Sequence, residues 1–199
     1  LIANTTSFQE RDHYLHLIIA ESENLIELIS QLLDISKIEA GKLELIPEPF
    51  NIYQLIETLT SAYTTMAYNK GLAYHASIDK SIPEVIIGDP MRLRQILINL
   101  MSNAIKFTNE GSISIDIQVE QKNNETIILK FFIKDTGIGI PKDKQAVIFD
   151  PFEQAETSTT RKFGGTGLGI TISKELVQLM NGQMGVESKV NIGSTFWFT

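Results

Sequence analysis

The chain has 199 residues, 43% of them hydrophobic and 21% charged, which is ordinary for a soluble globular protein and argues against disorder as the default. Its formal net charge of -7 disfavours nucleic acid and anionic membranes as partners, so any phosphate ligand must be held by a local site. The chain contains no cysteine, which excludes disulfides and thiolate metal sites, and no apolar run approaches the roughly 20 residues of a spanning helix.

These features lead us to expect a cytoplasmic piece of a longer protein, whether or not the whole protein is anchored in a membrane. This piece itself is expected to contact neither membrane nor nucleic acid.

A helical pattern dominates the chain up to Gly41. Ser7 to Glu10 has the form of a capping box, and a stripe with alternating spacings of three and four follows it. The stripe consists of Leu15, Ile18, Ser22, Leu25, Ile29, Leu32 and Ser36. A second row at Ile19, Ile26 and Leu33 widens the apolar face toward that of a four-helix bundle. We expect a partner hairpin or a second chain to cover this face; packing on the chain's own globular domain is the alternative.

Beyond a short linker at Pro47 and Pro49, helical and strand patterns alternate. Helices are predicted for Asn51 to about Asn69, for Met91 to Phe107 after an Asp89-Pro90 start, and for about Leu168 to Met180. Strands are predicted at Tyr74 to Ile78, Val85 to Ile87, Ile113 to Val119 and Thr126 to Lys134, with a last pair around Asn191 to Gly193. The pattern predicts an α+β two-layer sandwich, a mixed sheet with helices on one face, preceded by the long helix.

The helix from Met91 to Phe107 carries the first chemical pattern. Asn99 and Asn103 lie four residues apart, so both carboxamides project from one face, with Lys106 nearly aligned below them. Amide oxygens suit Mg²⁺, which often shares its coordination with substrate phosphates, and Lys106 can supply positive charge to those phosphates. Two asparagines that merely tolerate a helix face are the structural alternative.

The segment Asp135-Thr136-Gly137-Ile138-Gly139 places a carboxylate directly at the end of a hydrophobic strand and a permissive loop beyond it. An ionised carboxylate only accepts hydrogen bonds, so it can pair with the exocyclic amine of adenine but repels the carbonyl oxygen of guanine. The pattern therefore favours ATP over GTP. A tight turn with Asp135 as its cap is the structural alternative.

A glycine-rich segment, Gly164 to Gly169, directly precedes a helix, so free backbone N–H groups and the positive helix end can hold a phosphate. It matches neither a P-loop nor a Rossmann turn. The polar stretch from Glu153 to Phe163 is either a mobile lid, with Arg161 and Lys162 as phosphate contacts, or a solvated surface loop.

In their order and spacing, these motifs resemble the catalytic ATP-binding domain of two-component histidine kinases. Residues 99–108 resemble the family's N box, and residues 149–152 its F box. Three glycine-containing segments, at residues 135–139, 164–169 and 193–195, resemble the three G boxes. Residues 32–42 are similar to the end of the second dimerisation helix, especially that of hybrid sensor kinases.

The resemblance implies a Bergerat ATP-binding fold in residues 47–199, shared with gyrase, the heat-shock chaperone of ninety kilodaltons and mismatch-repair ATPases. Residues 1–46 would form part of the dimerisation and phosphotransfer hairpin. The resemblance also implies that Asn103 binds magnesium with support from Asn99, and that Lys106 contacts phosphate. Phe107 would pack on adenine and Asp135 would accept from its amine. The other nucleotide-binding residues implied are Gly137, Gly139, Ile140, Phe152, Arg161, Lys162, Gly165, Thr166, Gly167, Leu168, Gly169 and Thr195.

The family's phosphoacceptor histidine has no matching context here. His13 and His16 lack the acidic neighbour and the Arg-x-Pro setting, and His75 falls on a predicted strand. The resemblance therefore implies a protein-histidine kinase fragment that binds Mg²⁺-ATP and phosphorylates a histidine outside it. The phosphoryl group would pass to a response-regulator receiver domain, and the full-length protein would homodimerise through the helical hairpin.

Two other functions compete with this one. A non-catalytic ATP-dependent interaction module would use nucleotide to change a docking surface. An ATPase of the gyrase class is disfavoured, because that class has a water-activating glutamate where Asn99 stands, and an asparagine cannot take a proton.

Overall fold

A computed structural model describes residues 8–151 and 167–199 of the chain. The chain divides into two compact units, the first ending at Leu43 and the second running from Glu44 to Thr199. In the described part of the chain, no helix has the length and apolar character that crossing a bilayer requires.

The elements follow one another in the order α1 (Phe8–Glu39), β1 (Glu48–Asn51), α2 (Ile52–Asn69), β2 (Ala73–Ile78), β3 (Val85–Gly88), α3 (Pro90–Phe107), β4 (Ser112–Lys122), β5 (Ile127–Asp135), α4 (Gly169–Leu179), β6 (Met184–Lys189) and β7 (Gly193–Phe198). A 3-10 helix, Val147–Phe149, lies between β5 and α4.

The first unit is dominated by α1, a helix of 32 residues that confirms the predicted long helix. Its end is closed by two backbone hydrogen bonds, from Gly41 N–H to the Ile38 carbonyl (2.9 Å) and from Lys42 N–H to the Lys37 carbonyl (2.8 Å). The large apolar side chains of the predicted face are about half exposed or more: Leu15, Ile18, Ile19, Leu25, Ile26, Ile29, Leu32 and Leu33.

The second unit is built on a five-stranded mixed sheet with the strand order β2-β4-β5-β7-β6. Strand β2 runs parallel to β4, and the other neighbouring pairs are antiparallel. On β4 and β5, side chains alternate between a buried face, which includes Ile115 and Ile133, and a more exposed one. Helices α2 and α3 pack on the sheet and on each other, and α4 packs on α3. The predicted fold class, a mixed sheet with helices on one face, is confirmed.

The structure differs from the prediction between residues 47 and 51. We predicted a linker there, but Glu48–Asn51 forms β1 and pairs antiparallel with β3 in a separate two-stranded sheet. Pro49, opposite Ile87, is tolerated because a strand with a single partner does not need every N–H group. Asn51 then caps α2 by accepting the Gln54 N–H at 3.1 Å, so the chain passes directly from strand to helix.

Helix α3 begins at the Asp89-Pro90 pair, where the sequence predicts its start. The Asp89 carboxylate accepts the Arg92 N–H at 3.0 Å through one oxygen and the Ile46 N–H at 2.9 Å through the other. Pro90 takes the first helical position, where no N–H donor is needed. This buried cap sets the position from which α3 carries its asparagines.

We expect the core of the second unit to depend on the buried face of α4. Leu176 is fully buried, whereas Leu179 on the same helix is 37% exposed. Leu176→Ala should lower the free energy of unfolding by about 2 to 5 kcal/mol, because it leaves a cavity. The matched Leu179→Ala should cost less than about 1 kcal/mol. Urea denaturation of both variants measures the difference, and equal losses would contradict the packing described.

Candidate functional site

Asn99 joins α3 to the first turn of α4. Its carboxamide nitrogen donates to the Gly169 carbonyl at 3.1 Å and to the Ser173 hydroxyl at 3.2 Å. The Ser173 hydroxyl in turn donates to the Gly169 carbonyl at 2.9 Å. Both amide protons of Asn99 are therefore used on α4, and its amide oxygen is the atom that can accept a further hydrogen bond.

Asn103 and Lys106 lie further along α3, and both are half-buried. The Lys106 ammonium lies 4.9 Å from the centroid of the Phe107 ring. The end of α3 is held by Lys70, whose ammonium donates to the carbonyls of Ile105 (2.6 Å) and Lys106 (3.2 Å). Lys70 was not predicted, because its target carbonyls are 35 and 36 residues away in sequence.

The loop after β5 lies against the end of α3. Ile138 N–H donates to the Phe107 carbonyl at 3.3 Å. A Cβ atom at Gly137 would stand 2.3 Å from that same carbonyl oxygen, so only glycine permits this approach. The predicted residues Phe107, Asp135 and Gly137 are thus brought together, although they come from separate motifs.

Asp135 is buried at the end of β5, where its carboxylate accepts the Gly137 N–H at 2.8 Å. Burial raises the pKa of Asp135 above its ordinary value, while the backbone N–H groups of Gly137 and Ser194 partly oppose that rise. The Asp135 carboxylate therefore closes a tight turn, but one that lies inside the protein and not on its surface.

The first residue of β7 approaches Asp135 closely. Gly193 has φ +126, and a Cβ atom there would lie 2.0 Å from the Asp135 carbonyl oxygen. Ser194, the next residue, pairs with Asp135 across the strands and is buried.

Thr195, which we predicted as a nucleotide contact, lies on the middle one of three neighbouring strands. Thr195 pairs with Lys134 on β5 and with Glu187 on β6. Because successive residues of a strand project to opposite faces, its side chain lies on the face of the sheet opposite Asp135. Ser194 takes the position beside Asp135 instead, and strand alternation from Asp135 could have identified it once the register was known.

The loop from Asp135 to Ile140 is also fixed to the hairpin of β6 and β7. Ile140 N–H donates to the Ser188 hydroxyl at 2.7 Å, and the Gln145 amide nitrogen donates to the carbonyls of Ile140 (2.9 Å) and Ser188 (2.8 Å). Gly139 has φ +67, and a Cβ atom there would lie 2.1 Å from the Lys189 carbonyl oxygen. Sequence reasoning missed Ser188 and Gln145, which carry no motif signal.

Gly167, Leu168 and Gly169 lead into α4, and Leu168 is buried. Gly169 is the first residue of the helix and contacts the Asn99 side chain. The other predicted residues of this region, Phe152, Arg161, Lys162, Gly165 and Thr166, lie outside the described residues.

Residues 88–199 match the family model described as the histidine kinase-, DNA gyrase B- and HSP90-like ATPase. The chain belongs to this family. The match includes α3, the Asp135 loop and the hairpin of β6 and β7, which carry the contacts described above.

Among curated relatives, the signal transduction histidine-protein kinase BarA of Escherichia coli is 42% identical over 189 residues, which is 95% of this chain. The sensor histidine kinase GacS of Pseudomonas protegens is 41% identical over 186 residues, or 94% of this chain. The chain spans 20% of the length of each of these relatives. The resemblance to sensor histidine kinases is thereby confirmed.

Among solved structures, full-length ShkA in complex with AMPPNP matches with a TM-score of 0.80 at 29% identity. The match covers 99% of this chain and 40% of that protein. It supports the fold described above.

The buried Asp135 predicts a pH-dependent stability. Because its folded pKa is raised, its contribution to stability is present below the unfolded pKa and is lost as pH rises through the folded pKa. Asp135→Asn removes this loss, so the free energy of unfolding of the variant relative to the unmodified chain should grow with pH and then level off. Urea denaturation across a pH series measures it.

Asp79 provides a control of opposite sign. Its pKa is lowered, chiefly by the Ser81 N–H, so its contribution is present above the unfolded pKa and is lost as pH falls through the folded pKa. Asp79→Asn should therefore lose stability relative to the unmodified chain as pH rises. The same pH trend for both variants would contradict the burial assigned to Asp135.

The crowding at Gly139 gives a second prediction. Gly71 has a similar φ of +75, but a Cβ atom there would meet nothing within 4 Å. Gly71→Ala should therefore cost only the left-handed backbone strain, about 1 kcal/mol. Gly139→Ala should cost roughly 2 to 5 kcal/mol, because the loop must also move away from Lys189. Equal losses in urea denaturation would show that the loop does not lie against this hairpin.

Proposed function

We propose that this chain is the catalytic ATP-binding part of a sensor histidine kinase. It binds Mg²⁺-ATP and transfers the γ-phosphoryl group to a histidine outside this fragment, from which an aspartate of a response-regulator receiver domain takes it. Membership in the family of histidine kinase-, DNA gyrase B- and HSP90-like ATPases supports ATP as the ligand. The names of the relatives support a kinase rather than a gyrase-class ATPase.

The observation that carries this proposal is the contact between residues of four separate motifs. The asparagine helix contacts the start of α4 through Asn99. Its far end contacts the Asp135 loop through the Phe107 carbonyl. Asp135 in turn lies beside Ser194. The pieces that a nucleotide needs, from base acceptor to helix N-terminus, are therefore joined to one another by direct contacts.

At the base end, Asp135 would accept from the exocyclic amine of adenine. The buried location strengthens this hydrogen bond and its selectivity, because little water competes there. Ser194 lies next to it on the neighbouring strand. Phe107 would pack on the base, and Gly137, Gly139 and Ile140 shape the loop that borders it.

At the phosphate end, Asn103 would hold Mg²⁺ and Lys106 would contact phosphate. A half-buried neutral amide oxygen suits a cation that shares its ligands with phosphate oxygens. Bound magnesium would neutralise negative charge on the phosphates. The backbone N–H groups of Gly167, Leu168 and Gly169, at the start of α4, would also bind phosphate oxygens. We propose five further nucleotide contacts: Phe152, Arg161, Lys162, Gly165 and Thr166.

Asn99 favours phosphoryl transfer over hydrolysis. Its amide protons are engaged by Gly169 and Ser173, and its oxygen has no basicity with which to activate water. An imidazole is already a nucleophile in its neutral form, so transfer needs positioning and charge neutralisation rather than a base on α3. The P–N bond forms as the bond between the γ-phosphorus and its bridging oxygen breaks, and ADP leaves.

We further propose that the full-length protein homodimerises through the hairpin to which residues 1–46 contribute. The apolar face of α1 supports this, since Leu25, Ile26 and Leu33 are each more than half exposed. A cytoplasmic location fits a protein that relays phosphoryl groups to a receiver domain, whether or not the whole protein is anchored in a membrane.

The test is phosphorylation of a longer natural protein that includes this chain and its phosphoacceptor segment. Incubation with Mg²⁺ and ATP labelled on the γ-phosphate should give a protein label that is labile to acid and stable to base. Asn103→Ala should reduce this label by at least about 10- to 100-fold, because a metal ligand is lost.

The matched control is Asn69→Ala, the same substitution at the exposed last residue of α2, which should leave the label unchanged. ATP binding without any label would instead indicate a non-catalytic ATP-dependent interaction module. Steady phosphate release by this fragment alone would indicate a gyrase-class ATPase.

A further inference from the structure

Ser188 lies at the centre of a hydrogen-bond cluster behind the Asp135 loop. Its hydroxyl oxygen is 2.7 Å from the Ile140 nitrogen, 2.9 Å from the Gly193 carbonyl oxygen and 3.0 Å from the Ser194 hydroxyl oxygen. Three neighbours therefore contact one hydroxyl group, which has a single proton to donate.

The chemistry of the three neighbours determines where each proton goes. The Gly193 carbonyl can only accept, so it takes the proton of Ser188. The Ile140 N–H can only donate, so it uses one lone pair of Ser188. All three contacts are hydrogen bonds only if Ser194 donates its own proton to the second lone pair of Ser188.

The consequence reaches the other side of Ser194. A hydroxyl that donates its hydrogen bond to Ser188 has only lone pairs left, so it can only accept a hydrogen bond from any other neighbour. Ser194 is buried and lies beside the Asp135 carboxylate, which also only accepts when ionised. The Ser194 hydroxyl and the Asp135 carboxylate then present only hydrogen-bond acceptors to a bound nucleobase.

Gln145 keeps the cluster in place from outside. Its amide nitrogen donates to the carbonyls of Ile140 and Ser188, so the loop and β6 cannot separate without breaking both bonds. The hydroxyl of Ser188 is thereby held within reach of Ile140, Gly193 and Ser194 at once.

We propose that Ser188 is a positioning residue for base specificity: it orients the Ser194 hydroxyl so that the site accepts from adenine and offers guanine no donor. The inference rests on the proposed function, because it assigns the nucleobase to the Asp135 border. Ser188 acts through Ser194 and does not itself touch the base.

The test compares the affinities of this chain for ATP and GTP by calorimetry with Mg²⁺ present. In Ser188→Ala the Ser194 hydroxyl is free to turn and donate to the guanine carbonyl. The preference for ATP over GTP should then fall about fivefold, the effect of one hydrogen bond of about 1 kcal/mol. If Ser188 had only a structural role, the variant would lose affinity for ATP and GTP equally, and the ratio of the two affinities would not change.

Three further variants sharpen this comparison. The double variant Ser188→Ala with Ser194→Ala has no hydroxyl that could turn, so it should regain the preference for ATP. Ser188→Cys, nearly the same size, should shift the ratio in the same direction as alanine and serves if the alanine variant does not fold. Ser114→Ala, at a half-buried position on the more exposed face of β4, should leave the ratio as in the unmodified chain.

An unchanged ratio in Ser188→Ala or Ser188→Cys overturns the inference. If the unmodified chain still binds ATP, the proposed function is untouched by that result and is decided by the phosphorylation test. A double variant that stays as unselective as the single variant also overturns it. If the unmodified chain binds neither nucleotide, the proposed function fails and this inference fails with it.

Discussion

The buried carboxylate of Asp135 is the group on which the rest of the site depends. It stands at the end of β5, where a charge is costly unless hydrogen bonds surround it. Gly137 supplies an N–H by a sharp turn of the loop, and Ser194 supplies another because Gly193 lets the backbone of the preceding turn come close. Burial still raises the pKa of Asp135, so the fold tolerates an unfavourable charge here, as proteins do at sites that bind ligands.

Around this strand end, a few long-range hydrogen bonds hold the helices in position. Asn99 joins α3 to α4, and the Phe107 carbonyl joins the end of α3 to the loop after β5. Lys70, at the end of α2, binds the last carbonyls of α3. The motif residues therefore lie on a scaffold whose parts are tied to each other directly, which is what a site needs in order to hold a nucleotide without reorganisation.

Most of the fold could be predicted because the residue pattern within each helix or strand is enough to indicate it. The alternation of Ile113, Ile115 and Ile117 marks a half-buried strand, and Asp89 with Pro90 marks a helix start whatever lies nearby. Strand β1 could not be predicted, since Pro47 and Pro49 indicate a break and the strand exists only through its pairing with β3. Propensity is a local property, whereas pairing with a segment more than thirty residues away is not.

The sequence by itself determined which chemical groups the site has: the asparagines of α3, the acceptor Asp135 and the glycines that admit close backbone approach. Motif order also determined the family, because the spacing of those groups can be read directly from the sequence. Only the tertiary structure decided that Ser194 and not Thr195 lies beside Asp135, since a strand's register decides which face each side chain takes. It alone identified Ser188, whose hydroxyl accepts the Ile140 N–H across 48 residues of sequence, because a loop that packs against a distant hairpin leaves no local pattern.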